Sequence, residues 1–439
     1  MSNTLIDLGE LPPRGQRRQL PPAGQWPIPW RAVLGGFSVV LLVLLGGAAY
    51  RPPPAGPTVI HAEPADATFV TSDRLFVVST GGDPFGSAVH DKIVSAYALP
   101  AGTLLSRTTV AVTGAIFSVL AAGDTILVSY QVDTVGAEAT VALDAGTDRA
   151  RWRHPARLLA ASAADDLVLL RENSPQFGNL HRYGIDLATG ATRWTLDQPV
   201  FGLTIEAPAG EGFPERLVTA TLDGHVEVRN PITGAITAKA DVRPPADWRR
   251  QGISMWAADN LVLLGGKAGT TAYSLTDLRR LWDDTVDLSE RYVLPHCDDS
   301  VCVVGSFIGV QVLNPATGQQ RWAAATWGGL QQVGDYLLAD GPVGAPAAEP
   351  QTVVDTLTGK RRGDFGAWRA SGEARPDGTI VGLRQIPGQD VVWYASLNPA
   401  TLTVRVLGSA DRVSGDCKTT ALVLVCRRVD ASVGIWPLG

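Results

Sequence analysis

One phrase recurs along this chain, and its period limits the fold more than any other feature. Residues 185–194 read IDLATGATRW and residues 313–322 read LNPATGQQRW. Both pass from apolar residues through a small-residue turn ending in Thr-Gly and reach a Trp four residues later. Weaker copies are LDAGTDRARW at 143–152, RNPITGAITA at 229–238, LTDLRRLW at 275–282, VDTLTGKRR at 354–362, LNPATLTVRV at 397–406 and YALPAGTLL at 97–105. The turn residue falls at Gly102, Gly146, Gly190, Gly234, Leu278, Gly318, Gly359 and Leu402, so the first four steps are 44 residues and the later ones 40, 41 and 43. An acidic turn before a short apolar run, as in GDTILV, DDLVLL and DNLVLL, keeps the same step. Two independent features with one period mark a repeat architecture.

Each unit reads as four short strands. An apolar stretch reaches the acidic turn, a second strand such as LVLL follows, then a third such as YGIDL, then the Thr-Gly turn and a strand carrying Trp. Gly supplies the positive φ of a tight hairpin, and Asn, Asp or Pro before it favours the same turn. Four antiparallel strands every 40–45 residues make the blade of a β-propeller. A β-solenoid has a shorter period, and a sandwich does not repeat its sequence. Eight turns predict an all-β, eight-bladed propeller over residues 58–439. Residues 410–439 add an incomplete unit, so seven or nine blades stay open. That tail is expected to close the ring by meeting a strand near residues 58–62, TVIHA.

The pattern apolar-Asx-x-x-Thr-Gly-x-x-x-Trp, best at 186–194 and 314–322 and good at 144–152, resembles the repeat of pyrroloquinoline-quinone-type (PQQ-like) propellers, over roughly residues 60–439. Ala238 and Arg362 or its neighbours stand where other units have Trp. The resemblance implies a propeller. Its enzyme branch holds the quinone with adjacent cysteines, a calcium ion and a catalytic Asp. This chain has no Cys-Cys dipeptide, no C-x-x-C-H and no D-x-D-x-D-G loop. No cofactor and no metal site are therefore expected. A propeller of similar fold serves as the scaffold lipoprotein of an outer-membrane protein assembly machine, although this chain carries a predicted helical anchor in place of a lipobox cysteine.

Trp152, Trp194, Trp282 and Trp322 hold matching repeat positions and are expected to lock one blade against the next, over the turn glycines Gly146, Gly190, Gly234, Gly318 and Gly359. Six histidines (His61, His90, His154, His181, His225 and His296) form no H-x-x-x-H or H-E-x-x-H pattern, and there is no G-x-S-x-G elbow. No catalytic residue stands out. The cysteines are Cys297, Cys302, Cys417 and Cys426. Hairpin spacing on an exported chain favours disulfides, and of the three possible pairings proximity favours 297–302 with 417–426. Zinc held by four cysteines is the rival, with C-x4-C and C-x8-C spacings poorly suited to it.

Residues 32–50, AVLGGFSVVLLVLLGGAAY, carry no charge and as a helix would span about 28 Å at about 1.5 Å per residue. They read as one transmembrane helix, an uncleaved signal anchor; a cleaved secretory signal is the alternative. Arg14, Arg17, Arg18 and Arg31 precede the span, and only Arg51 follows before Arg74. This bias predicts a cytoplasmic N-terminus and an extracytoplasmic propeller at the cell membrane. Residues 1–31 read as a disordered, Pro-rich tail and 51–57 as a stiff spacer. The whole chain holds 37 basic and 43 acidic residues; removing five Arg and two acids in the first 51 leaves 32 and 41, a balance of −9. Such a surface repels phosphate, so no nucleic-acid partner is expected. Composition rich in Ala, Gly and Arg suggests a GC-rich bacterium. The expected role is a membrane-anchored scaffold binding a protein or cell-envelope polymer. The alternatives are a cell-envelope hydrolase or lyase acting at the propeller channel, and signalling through the short tail.

Overall fold

Alternating strands joined by positive-φ turns give sheets of one kind throughout the computed structural model. It describes residues 56–79, 90–132, 136–145, 147, 149–172, 180–199, 201–207, 212–245, 247–305, 309–341 and 350–439. These residues form nine four-stranded antiparallel sheets. Eight follow chain order and make blades 1 to 8, at 67–112, 116–154, 157–197, 203–241, 254–284, 292–324, 329–364 and 369–410. Blade 9 takes three strands from 413–437 and its outermost strand, Thr58–Ile60, from the other end of the sequence. Thr58 pairs with Ile435, Val59 with Gly434 and Ile60 with Val433.

The propeller therefore has nine blades, which corrects the expected eight. The turn used for counting joins the third and fourth strands of a blade. Blade 9 has no such turn, because its fourth strand arrives from the N-terminal side. Eight hairpins and one closing pair make nine.

The first strands of neighbouring blades touch, as Leu203–Ala207 touches Ser254–Ala258 and the latter touches Tyr292–Val293, so first strands lie innermost. Second strands such as Leu261–Gly266 and Val301–Gly305 are buried at every residue. Neighbouring blades cover both of their faces, and so they read as unbroken apolar runs. Apolar clusters fill the contacts between blades, for example Phe76, Val94, Val119 and Ile126 between blades 1 and 2, and Ile60, Leu75, Val425 and Ile435 across the closure. Between blades 3 and 4 a buried ion-paired group adds to the packing. The buried Arg182 guanidinium donates to Thr204 O (2.6 Å), Glu206 Oε1 (3.1 Å) and Gln198 Oε1 (3.0 Å).

Among the described residues no helix is long and apolar enough to cross a membrane. The expected span at 32–50, the tail at 1–31 and spacer residues 51–55 lie outside the described residues.

Candidate functional site

The repeated turn has a chemical logic visible at blade 3. Asp186 Oδ1 accepts from Thr189 N (2.9 Å) and Thr189 Oγ1 (2.8 Å), and Gly190 follows at φ 74°. Asp355 and Thr358 repeat this at blade 7. The Arg193 guanidinium (2.7 Å from Asp186 Oδ2), with the Thr189 bonds, holds the Asp186 carboxyl down at about 2.

The four repeated tryptophans each reach the next blade. Trp152 Nε1 donates to Leu187 O (2.8 Å), Trp194 Nε1 to Ile232 O (3.2 Å), Trp282 Nε1 to Pro315 O (2.7 Å) and Trp322 Nε1 to Thr356 O (2.8 Å). Their rings lie over Gly190, Gly234, Gly318 and Gly359, where a Cβ would come within 2.5–2.7 Å of the indole. Gly146 lies outside the described residues. Arg362, one of the residues replacing Trp, sits over the Tyr336 ring and donates to Ala400 O (3.5 Å) in blade 8. Sequence reasoning missed the Arg before the Trp. Arg151 reaches back to Asp124 (3.0 Å) and Arg193 to Asp165 O (2.9 Å), both in the blade's own acidic turn, and the dipeptide RW at 151, 193 and 321 was the available signal. In an extended strand the two side chains point to opposite faces, so one grips its own blade while the other grips the next.

Cys297 is bonded to Cys302 and Cys417 to Cys426, leaving no free cysteine. The second bond ties the first strand of blade 9, Val413–Thr419, to the second, Val423–Arg428. The histidines scatter. His225 pairs with Asp241 (2.8 Å) and Glu227 (3.2 Å), which raise its pKa, Asp241 most strongly. His154 lies against the Tyr183 ring, and burial lowers its pKa. Among the described residues no group of three or more His, Cys, Asp or Glu converges as a metal site.

The feature best suited to binding is a cleft of about 770 Å³ on the inner strands of blades 4, 5 and 6. It depends on a long link between blades 4 and 5. Between Asp241 and Ser254 this link contains a single helical turn, α1 (Trp248–Gln251). Trp248 is buried and donates to Gly265 O (2.8 Å), which pins the link onto blade 5. Asp247, 7% exposed, accepts from Lys267 N through Oδ2 (2.7 Å), and its carboxylate occupies the space a Cβ at Gly266 would need. Leu203, Ile205, Ile253, Met255, Leu288 and Val293 supply the apolar wall. Glu206, Lys267, Glu290 and Arg291 supply charges of both signs.

Eleven buried side-chain polar atoms among the described residues have no hydrogen-bond partner, and four belong to residues lining this cleft: Asp247 Oδ1, Trp256 Nε1, Ser289 Oγ and Arg291 Nε. An unmade hydrogen bond costs about 1–3 kcal/mol, so native proteins keep few of them. Apolar walls with a few convergent polar groups are the usual make-up of a binding site. No histidine borders the cleft. None of these residues was singled out from sequence, because they come from three blades and a link where the recurring phrase does not reach.

A family model described as outer membrane protein assembly factor BamB matches residues 90–294. That stretch runs from the third strand of blade 1 into blade 6 and contains every residue lining the cleft. Among solved structures, the chain is similar to BamB from Moraxella catarrhalis, at 15% identity over 88% of this chain and 100% of that one, with a TM-score of 0.41. It is also similar to the computationally designed Ika8 protein (14% identity, 73% and 96% covered, TM-score 0.42) and to the C-terminal WD40 domain of Sif2 (8%, 88% and 98%, 0.41). No curated protein matches the chain.

Proposed function

We propose that this protein is a membrane-anchored interaction scaffold whose propeller, on the extracytoplasmic side, receives a polypeptide partner in the cleft of blades 4 to 6. The observation that carries the reading is one cleft of about 770 Å³ that joins an apolar wall drawn from three blades to charged groups of both signs, Glu206, Glu290, Lys267 and Arg291. The match of residues 90–294 to a family named for an assembly factor supports a partner that is protein, and the uncharged stretch at 32–50 supports the anchor. A peptide brings alternating N–H and C=O groups as well as apolar side chains, which suits a wall of mixed donors and acceptors.

A photo-crosslinking residue at Lys267 or Glu290, both exposed at the cleft, tests this in cells producing the full chain. Polypeptide adducts of defined mass are expected there and not from Lys360 in the blade 7 turn. Equal adducts from all three positions, or none from the cleft, would overturn the reading.

A further inference from the structure

In blades 2, 3, 5 and 6 the outer strand spends its large apolar residue on the next blade, as Trp152, Trp194, Trp282 and Trp322 do. Blades 8, 9 and 1, consecutive across the closure, lack that tryptophan. Val406 stands four residues after the turn residue Leu402, the spacing that places Trp194 after Gly190, yet it is 54% exposed. Val404 beside it, Val59 on the outer strand of blade 9, and Leu104 and Leu105 on that of blade 1 are 37–52% exposed. The closure brings blades 9 and 1 into contact there, since Gly102 lies against the Thr58 side chain.

Charge sets this rim against the acidic balance of the chain beyond residue 51. The outer strands Thr58–Ile60, Thr103–Val112 and Thr403–Ala410 hold no Asp or Glu and two arginines, Arg107 and Arg405, both exposed. The sequence beyond residue 51 is acidic by nine charges, 32 basic against 41 acidic. The outer strands of blades 3, 4, 5 and 7 carry acids, Asp197, Asp241, Asp283 and Asp364, while those of blades 2 and 6, ARWRH and QRWAA, share the lack of acids and use their tryptophan on the next blade.

We infer that the outer rim of blades 8, 9 and 1 rests on the lipid surface, its valines and leucines entering the interface and Arg107 and Arg405 facing the headgroups. This rests on the anchor reading of residues 32–50. Only seven residues, 51–57, separate that stretch from Thr58, and fully extended they reach about 25 Å. With the span in a bilayer, the outer strand of blade 9 is held within that distance of the headgroups. The surface so tethered joins exposed Val59, Leu104, Leu105, Val404 and Val406 to two arginines with no acid on the same strands, a combination that favours an interface with lipid.

The test uses the full chain in vesicles of phosphatidylethanolamine and phosphatidylglycerol, with a benzophenone amino acid at Leu105 or Val406, or at Ile236, an exposed residue on the outer strand of blade 4. Lipid adducts several-fold more abundant at 105 and 406 than at 236 are expected. Equal adducts at all three, none at the rim, or rim adducts to a second copy or another polypeptide would overturn the inference. Leu104 and Val404 serve as alternative positions should a substituted chain misfold. Carbonate extraction separates the two readings. Release of the chain sinks the anchor and the rim together; a chain that stays in the membrane without rim adducts sinks the rim alone.

Discussion

Trp152 lies across Gly190 at such close range that a Cβ on that glycine would come within 2.5 Å of the indole. Gly190 also sits at φ 74°, where an L side chain is strained. Gly190→Ala should therefore cost about 2–4 kcal/mol, strain and overpacking together. Gly388→Ala, at φ 81° with open space around it, should cost about 1–2 kcal/mol from strain alone. Denaturant titration of both variants checks this, and equal losses would refute the packing argument.

Removing the indole tests the same contact from its other side. Trp152→Ala deletes a ring that is 9% exposed and should cost about 3–5 kcal/mol. Trp152→Phe keeps most of the ring and leaves Leu187 O without its donor, for a smaller loss of about 1–3 kcal/mol. Calorimetry should rank the wild type, Phe and Ala forms in that order.

The two disulfides should differ in weight although each closes a short loop worth about 2–3 kcal/mol of chain entropy. Cys417→Ser with Cys426→Ser loosens the first two strands of the closing blade, whereas Cys297→Ser with Cys302→Ser loosens one turn within blade 6. The first pair should lower the unfolding midpoint more. A larger drop from the second would show that the closing blade does not limit stability.

Acid should expose the Asp186 turn. Its carboxyl titrates near 2 in the fold against 3.8 ordinarily, so the stabilisation is complete above about pH 4 and fades as pH falls through 2. Asp186→Asn should be less stable than wild type at pH 7, and the gap should close towards pH 2. A gap that stays constant with pH would rule out the ion pair with Arg193 as its source.

At the boundary of blades 3 and 4, Arg182 holds Glu206, which lines the cleft. Arg182→Met should weaken that boundary by about 3–5 kcal/mol, because it leaves Glu206 without its charged partner. Hydrogen exchange should rise first in Leu203–Ala207; uniform acceleration around the ring would count against a local role.

The propeller could be read from the sequence because its turn chemistry is local. Asp186, Thr189 and Gly190 make their hydrogen bonds within five residues, and a period in sequence becomes a period in space. Closure is not local. Even so, the expected meeting of residues 410–439 with a strand near 58–62 holds, as Val59 pairs with Gly434; the count of eight falls short because the closing blade has no turn between its third and fourth strands. The cleft was hidden for a related reason. Asp247 lies in a link between blades and Trp256 on an inner strand where the recurring phrase does not reach, and the cleft they border is a property of the packed molecule. The only hint was PPADWRRQG at 244–252, which interrupts the strand pattern.

The strand at 58–60 has a particular fate during synthesis. It emerges ahead of every blade, yet its partner is Val433–Pro437, and Arg427 grips the backbone of Glu63 across a separation of 364 residues. Until the ribosome has passed that point, the strand waits without its only sheet partner, and eight stacked blades have no lock. A nascent chain halted in blade 8 would thus lack a clasp as well as a blade. The quality-control burden of this molecule falls on its last thirty or so residues, whose arrival converts an open arc into a ring in a single late step.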